Sequence, residues 1–191
     1  CALEHGGAAP VIVEETADLD SCVSLLTKGG YYHAGQVCVS VQRVFIHSSR
    51  YKEFLERLGA GVKKLKSGDP LQQETEVGPL ILPKEVDRVH QWVMEAKDAG
   101  AELVLGGKKL SDTVYAPTIL ANVPNQCTIS KNEVFGPVVL AQPYDFFDQA
   151  IRAATDVDFA FQAAVFTKNI DRAFQAVQDL EGLAVMVNDH T

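Results

Sequence analysis

The chain is predicted to fold as an α/β domain: an open, twisted, mostly parallel sheet flanked by helices on both faces. Three observations lead there. Segments rich in β-branched residues alternate with segments whose apolar residues recur at spacings of three and four. Several of the strand segments are continuous apolar runs, as strands covered on both faces are. The 191 residues suffice for one domain with its own core, and they show no repeat, low-complexity stretch or linker, so residues 1–191 are read as a single domain.

The elements follow in order. Pro10 to Glu14 is a short β-branched run and so a strand. Asp18 is placed to cap a helix whose inner face is Leu19, Val23, Leu26 and Gly30. Gly29 and Gly30 weaken that helix near its end, and Gly35 can stop it. Residues 36–40 connect it to a strand at Val41–His47. Ser48 or Ser49 is expected to cap the next helix, with the stripe Tyr51, Phe54, Leu55, Leu58, Val62 and Leu65. Ser67 to Pro83 is loop, broken by Gly68, Pro70, Gly78 and Pro79. Pro83 opens a helix that Gly100 closes, burying Val86, Val89, Val93 and Ala96. Leu103–Leu105, Thr118–Val123 and Val138–Gln142 read as strands. Asp145 is expected to cap a helix with Phe146, Phe147, Ala150, Ile151 and Ala154 inward. Gln162–Thr167 is a strand, and Asn169 caps a helix with Ile170, Ala173, Phe174, Val177 and Leu180 inward. Leu183–Val187 is the last strand.

Composition excludes several function classes. Lys and Arg number 17 against 25 Asp and Glu, for a net charge of −8. The one basic run, Lys63-Lys64-Leu65-Lys66, ends a predicted helix, where cations offset the helix dipole. Nucleic-acid binding would need a broader basic footprint. No apolar run approaches the about 20 residues of a membrane span. Cysteines stand at 1, 22, 38 and 127 with no C-x-x-C spacing. No His, Cys, Asp or Glu group has ligand spacing, so no metal site is expected. A domain of this size needs no disulfide staples, and the cysteines are expected to be reduced thiols in a cytoplasmic protein. The chain opens on Cys1-Ala2-Leu3-Glu4 without a Met and reads as a piece of something longer.

Three short segments are not explained by packing. In Leu3-Glu4-His5-Gly6-Gly7 a carboxylate stands just ahead of two glycines and the first strand, with His5 between; taken alone, such a Glu reads as solvated. In His33 to Ser40 a cysteine, Cys38, occupies a Gly-containing connection between a helix and a strand, the kind of loop on a rigid scaffold that carries function. Val37 and Val39 flank it, so Cys38 taken alone also reads as a small core hydrophobe. In Asn132 to Pro137, Glu133 and Phe135 are two apart, and extended chain puts both on the same side. There a carboxylate can accept two sugar hydroxyls while a ring packs on a ribose or nicotinamide; taken alone, the segment reads first as an ordinary turn before a strand.

The three segments together, in this order, resemble the NAD(P)-dependent aldehyde dehydrogenase superfamily. Glu4-His5-Gly6-Gly7 is similar to its Glu-Leu-Gly-Gly motif, with His for Leu. Gly35-Gln36-Val37-Cys38 matches Gly-Gln-x-Cys, and Glu133-Val134-Phe135-Gly136-Pro137 matches Glu-x-Phe-Gly-Pro. Gly68-Asp69-Pro70, Val77-Gly78-Pro79, Ala116 to Leu120 and Val187-Asn188 echo the family more weakly, so the resemblance spans the chain. It implies the family's catalytic-domain fold, with Cys38 as nucleophile, Glu4 as general base, Glu133 as ribose-binding carboxylate and Phe135 beside the nicotinamide. The implied cofactor is NAD or NADP. The implied partners are a small-molecule aldehyde, the cofactor domain of the same chain, and further copies in a homo-oligomer.

The departures carry their own expectations. The family's cofactor domain, with its Gly-rich turn and the Asn of the oxyanion hole, is not in this sequence, and neither is the segment after Val187-Asn188. Phe159-Ala160-Phe161 stands where an aromatic-Gly-Leu run is usual. The 191 residues alone are therefore expected to be inactive. Relatives that acylate coenzyme A or reduce an acyl phosphate need no Glu at position 4, so Glu4 favours hydrolysis. A non-catalytic α/β module acting as an assembly surface is the alternative from another class. The remaining histidines read as structure: His33 and His47 lie near Cys38 in sequence, which raises a Cys–His pair as the lesser reading, and His90 stands beside Val89 on a helix.

Overall fold

The structure, a computed structural model, describes residues 6–191. Its seven strands are β1 (Pro10–Val13), β2 (Arg43–His47), β3 (Glu102–Leu105), β4 (Thr118–Ala121), β5 (Val138–Tyr144), β6 (Gln162–Phe166) and β7 (Ala184–Val187). Its helices are α1 (Leu19–Tyr31), α2 (Ser48–Val62), α3 (Pro83–Asp98), α4 (Thr128–Lys131), α5 (Phe147–Thr155) and α6 (Ile170–Asp179). The strands form one sheet in the order β3-β4-β5-β2-β1-β6-β7. Every pairing is parallel except β3 with β4 at one edge.

Alternation along the strands builds two layers. Val11, Val13, Val44, Ile46, Ala164 and Phe166 face a core shared with α1, α2 and α3. Ile12, Phe45, Ala163 and Val165 face the opposite core with α5 and the end of α6. Period-two side chains thus serve both faces, which is why the central strands carry no polar face. The α/β class and the mostly parallel sheet match the prediction.

Local choices explain the helices. Asp18 accepts from the Asp20 N–H at 3.1 Å and caps α1 as predicted. Gly30 lets α1 lie directly on the sheet, because a Cβ there would come within 2.6 Å of Val139 Cγ2. Pro83 opens α3, whose buried residues are Val86, Val89, Val93 and Ala96. Gly100 takes φ 107° just past its end, as its role as terminator requires.

Several local expectations are corrected. His47, not Ser48 or Ser49, caps α2: its Nδ1 accepts from the Ser49 N–H at 3.3 Å. Asp145 does not cap α5. It accepts the Ser48 hydroxyl at 2.6 Å, and Phe146 at the cap position is 75% exposed. Helix α6 turns a different face inward. Ala173, Ala176 and Leu180 are buried, while Ile170, Phe174 and Val177 are exposed, because the helix approaches the sheet through its small residues.

Gly7, the Cys38 turn and the Glu133–Gly136 loop stand just before β1, β2 and β5, three parallel strands consecutive in the sheet with β2 in the middle. All three therefore gather at the amino-terminal edge of the sheet.

Candidate active site

The turn that carries Cys38 is held from two sides. Helix α1 ends at Tyr31, and a 3-10 turn, Tyr32–Gly35, follows. His33, Ala34 and Gly35 take φ of 50°, 55° and 71° in succession. Left-handed backbone costs a non-glycine residue about 1 kcal/mol, so the turn stores strain that surrounding bonds must hold. The Ser40 N–H closes a turn over Cys38 by donating to Val37 O at 2.9 Å. The Ser40 hydroxyl and the Val41 N–H both donate to Gly29 O, tying the turn to α1. On the other side Gln36 spans to the loop before α3. Its Nε2 donates to His33 O and Pro79 O, both at 3.1 Å, and its Oε1 accepts from the Ile81 N–H at 2.9 Å. Cys38 itself is half-buried and is not in a disulfide.

The other two segments come to the same place. A Cβ on Gly35 would lie 2.1 Å from Gly136 O, so the cysteine turn and the Glu133–Gly136 loop meet backbone to backbone. A Cβ on Gly6 would lie 2.0 Å from Glu133 Oε1, so Gly6 packs against the Glu133 carboxyl. Gly7, at φ 136°, leaves no room for a side chain against Phe159 O, and the Ala8 N–H donates to that same carbonyl at 3.2 Å. Glu4, the proposed base of this segment, lies outside the described residues.

Glu133 is half-buried, yet its Oε1 is shut from solvent without a hydrogen-bond partner. Desolvation raises its pKa above the ordinary carboxylate value, opposed by the Gly7 N–H and by Arg88. Phe135 corrects the predicted geometry. It takes φ 47°, so the chain is not extended there and the premise that set it on one side with Glu133 fails. The ring is 41% exposed. It lines a cleft of about 660 Å³ together with His33, Gln36, Val37, Glu76 and Pro79. Cys38 is one residue from that lining but not part of it.

The histidines separate. His33 reaches the cleft and packs against Tyr32, the rings tilted by 56° with 5.3 Å between centroids. His47 stands at the far end of β2, edge-on to Tyr144, and cannot serve Cys38. His90 packs on Tyr115, with 3.2 Å between Nδ1 and the phenol oxygen, as a structural residue does. Among the described residues no group of three His, Cys, Asp or Glu could hold a metal. None of their helices is long and apolar enough to cross a membrane.

Two residues near the site were missed from sequence. Burial raises the Tyr32 pKa, and the Cys38 sulfur adds to the rise, which places the two side chains in electrostatic range. The available signal was an aromatic at a helix end six residues before the cysteine. Gln42 read only as a strand residue, and its side chain turns out to be buried against the Glu133 loop.

Residues 1–191 match the family model described as "Aldehyde dehydrogenase family". A 3-sulfolactaldehyde dehydrogenase of Priestia aryabhattai is 40% identical over 187 residues, 98% of this chain and 39% of that protein. An aspartate-semialdehyde dehydrogenase of Pseudomonas canavaninivorans is 37% identical over 98% of this chain and 40% of its own length. Lactaldehyde dehydrogenase from Escherichia coli superposes with a TM-score of 0.95 at 32% identity, covering 98% of this chain and 40% of that one. A glyceraldehyde-3-phosphate dehydrogenase from Methanocaldococcus jannaschii, solved with NADP, gives 0.94 at 35% identity over 98% of this chain and 40% of that one. The chain thus spans about two fifths of the relatives it matches.

Proposed function

The chain belongs to the aldehyde dehydrogenase family, and on that premise we propose that it is the nucleophile-bearing domain of an enzyme that oxidises an aldehyde to a carboxylic acid with NAD or NADP. The observation that carries this reading is the contact of Gly35 with Gly136 O, which sets the Cys38 turn against the Glu133–Phe135 loop.

The residues present fit a dinucleotide. Glu133 Oε1 is a buried acceptor without a donor, and a ribose hydroxyl would supply one. Phe135 presents an exposed ring to the cleft. The dinucleotide, when bound, supplies the electron-pair acceptor of the oxidation. Cys38, as thiolate, adds to the aldehyde carbon and carries the acyl group as a thioester after oxidation. The Cys38 backbone N–H is one donor to the oxyanion, and a side-chain amide from outside this chain is the other. Glu4 takes a proton from the water that releases the acid. The strained turn at His33–Gly35 and the bonds of Gln36 and Ser40 hold Cys38 in place throughout.

The family's cofactor domain and further copies in a homo-oligomer are the proposed partners. A cytoplasmic location accords with the unpaired thiols at Cys22, Cys38 and Cys127. The test is turnover of a panel of aldehydes by the full-length protein with NAD+ or NADP+. Cys38→Ser should lower turnover by about a thousandfold or more. Glu4→Gln should still acylate Cys38 but stall at the thioester, seen as a burst and as an added mass on the Cys38 peptide. Full activity of Cys38→Ser would sink the reading.

A further inference from the structure

We propose that Gln42 is the positioning residue of Glu133, setting the carboxylate for the nucleotide through the backbone on either side of it. The proposal rests on the reading of Glu133 as the nucleotide-binding carboxylate.

Gln42 lies just before β2 and is 4% exposed. Its backbone is tied to the neighbouring strands: its carbonyl accepts from the Leu140 N–H at 2.7 Å, and its N–H donates to Ala9 O at 3.3 Å. Its side chain leaves the sheet and enters the 129–136 segment. Nε2 donates to Ile129 O at 3.0 Å and to Asn132 O at 2.8 Å. Oε1 accepts from the Val134 N–H at 2.8 Å. Both amide donors and the amide acceptor are used. Asn132 and Val134 are the residues immediately flanking Glu133, so the amide clamps the backbone on both sides of the carboxylate.

The segment from Asn132 to Pro137 has no regular secondary structure, so its buried backbone groups need side-chain partners. Gln42 supplies two of them, at Asn132 O and the Val134 N–H. Arg88, reaching from α3, supplies another by donating to Val134 O at 2.7 Å. The chain then turns through φ 47° at Phe135 and meets Gly35 at Gly136. A slack segment would let Glu133 drift while leaving the Cys38 turn held by its own bonds to Gly29, Pro79 and Ile81. The two halves of the site therefore have separate clamps, Gln36 for the cysteine and Gln42 for the carboxylate. A glutamate at position 42 has the same shape but would turn an acceptor toward Ile129 O and Asn132 O. An asparagine keeps the amide but is one methylene too short.

The experiment compares the full-length wild type with Gln42→Glu and Gln42→Asn. Three readouts are taken without aldehyde: the Kd for NAD+ and for NADP+ by titration calorimetry, the rate of Cys38 alkylation by iodoacetamide, and amide exchange at residues 129–136. In both variants the Kd of the preferred dinucleotide should rise about tenfold, exchange at Val134 should quicken, and Cys38 alkylation should stay within about twofold of the wild type. Wild-type affinity in both variants would overturn the proposal. So would an affinity loss matched by an equal change at Cys38, since that describes general loosening. Gln42→Asn introduces no charge and keeps the test open if the charged variant does not fold. A wild type that binds neither dinucleotide refutes the reading of Glu133 itself, an outcome distinct from failure at Gln42.

Discussion

Gly35 and Gly136 touch backbone to backbone: a Cβ on Gly35 would stand 2.1 Å from the Gly136 carbonyl oxygen. Gly35 also sits at φ 71°. Both facts forbid a side chain, and they do so at the junction of the cysteine turn with the carboxylate loop.

Gly35→Ala should therefore cost about 3 kcal/mol, the sum of a left-handed backbone penalty and a clash with backbone that cannot swing away. Gly59 is the control. It lies inside α2, and a Cβ added there would meet nothing within 4 Å. Gly59→Ala should stabilise by about 0.5–1 kcal/mol through helix propensity. Urea unfolding of both variants checks the pair, and Gly35→Ala behaving like Gly59→Ala would refute the contact.

The described cysteines should separate under alkylation. Cys22 is fully buried, and burial followed by nearby Asp18 pushes its thiol far above the ordinary range. Cys127 is 2% exposed, and burial followed by Glu95 also raises its pKa. Cys38 is half-buried in a turn that reaches the surface. Peptide mapping after limited iodoacetamide treatment at neutral pH should find Cys38 labelled well before the other two.

Glu133 ties stability to pH. Its carboxyl titrates near 4.5 in the unfolded chain and higher in the folded one. Over that window the native state keeps a proton that the unfolded state has lost, so stability falls as pH rises through it and stays lower above. Glu133→Gln should be more stable than the wild type at neutral pH, and the gap should close as pH falls below 4.5. The same variant should bind the dinucleotide more weakly. Thermal melts across pH, paired with titration, show whether the two effects oppose each other.

Arg43 should be indispensable. Its guanidinium is buried and donates to Ala8 O at 2.9 Å, Ala153 O at 3.0 Å and Ala154 O at 2.7 Å. Burial lowers its pKa to about 10, with Asp156 opposing, so it stays charged at neutral pH. It joins the last turn of α5 to the chain entering β1. Arg43→Met leaves three carbonyls without a donor and should cost about 3 kcal/mol in chemical denaturation.

Legibility from sequence followed periodicity. The buried stripe of α3 was readable because its apolar residues form one face and its other face is charged. In α6 the pattern offered two faces, one with Ile170, Phe174 and Val177 and one with Ala173, Ala176 and Leu180. Hydrophobicity favours the larger residues, whereas close approach to the sheet selects the smaller ones. Cys38 and Glu133 were visible through short motifs. The devices that hold them were not. The Gln42 clamp joins groups 92 residues apart, and φ 47° at Phe135 depends on tertiary packing. Capping by His47 was hidden by two serines that fit the usual preference better.

The gathering of Gly7, Cys38 and Glu133 at the amino-terminal ends of the strands leaves the two rims of the sheet unequally open to change. Ligand sites in open parallel sheets ordinarily lie at the opposite rim. Here that rim holds the connections from Glu14 to Asp18, from Tyr144 to Phe146 and from Thr167 to Asn169, at the other ends of the strands from the three segments. It is the rim where lengthened loops, reporter tags or grafted peptides can be carried with the least disturbance to the chemistry.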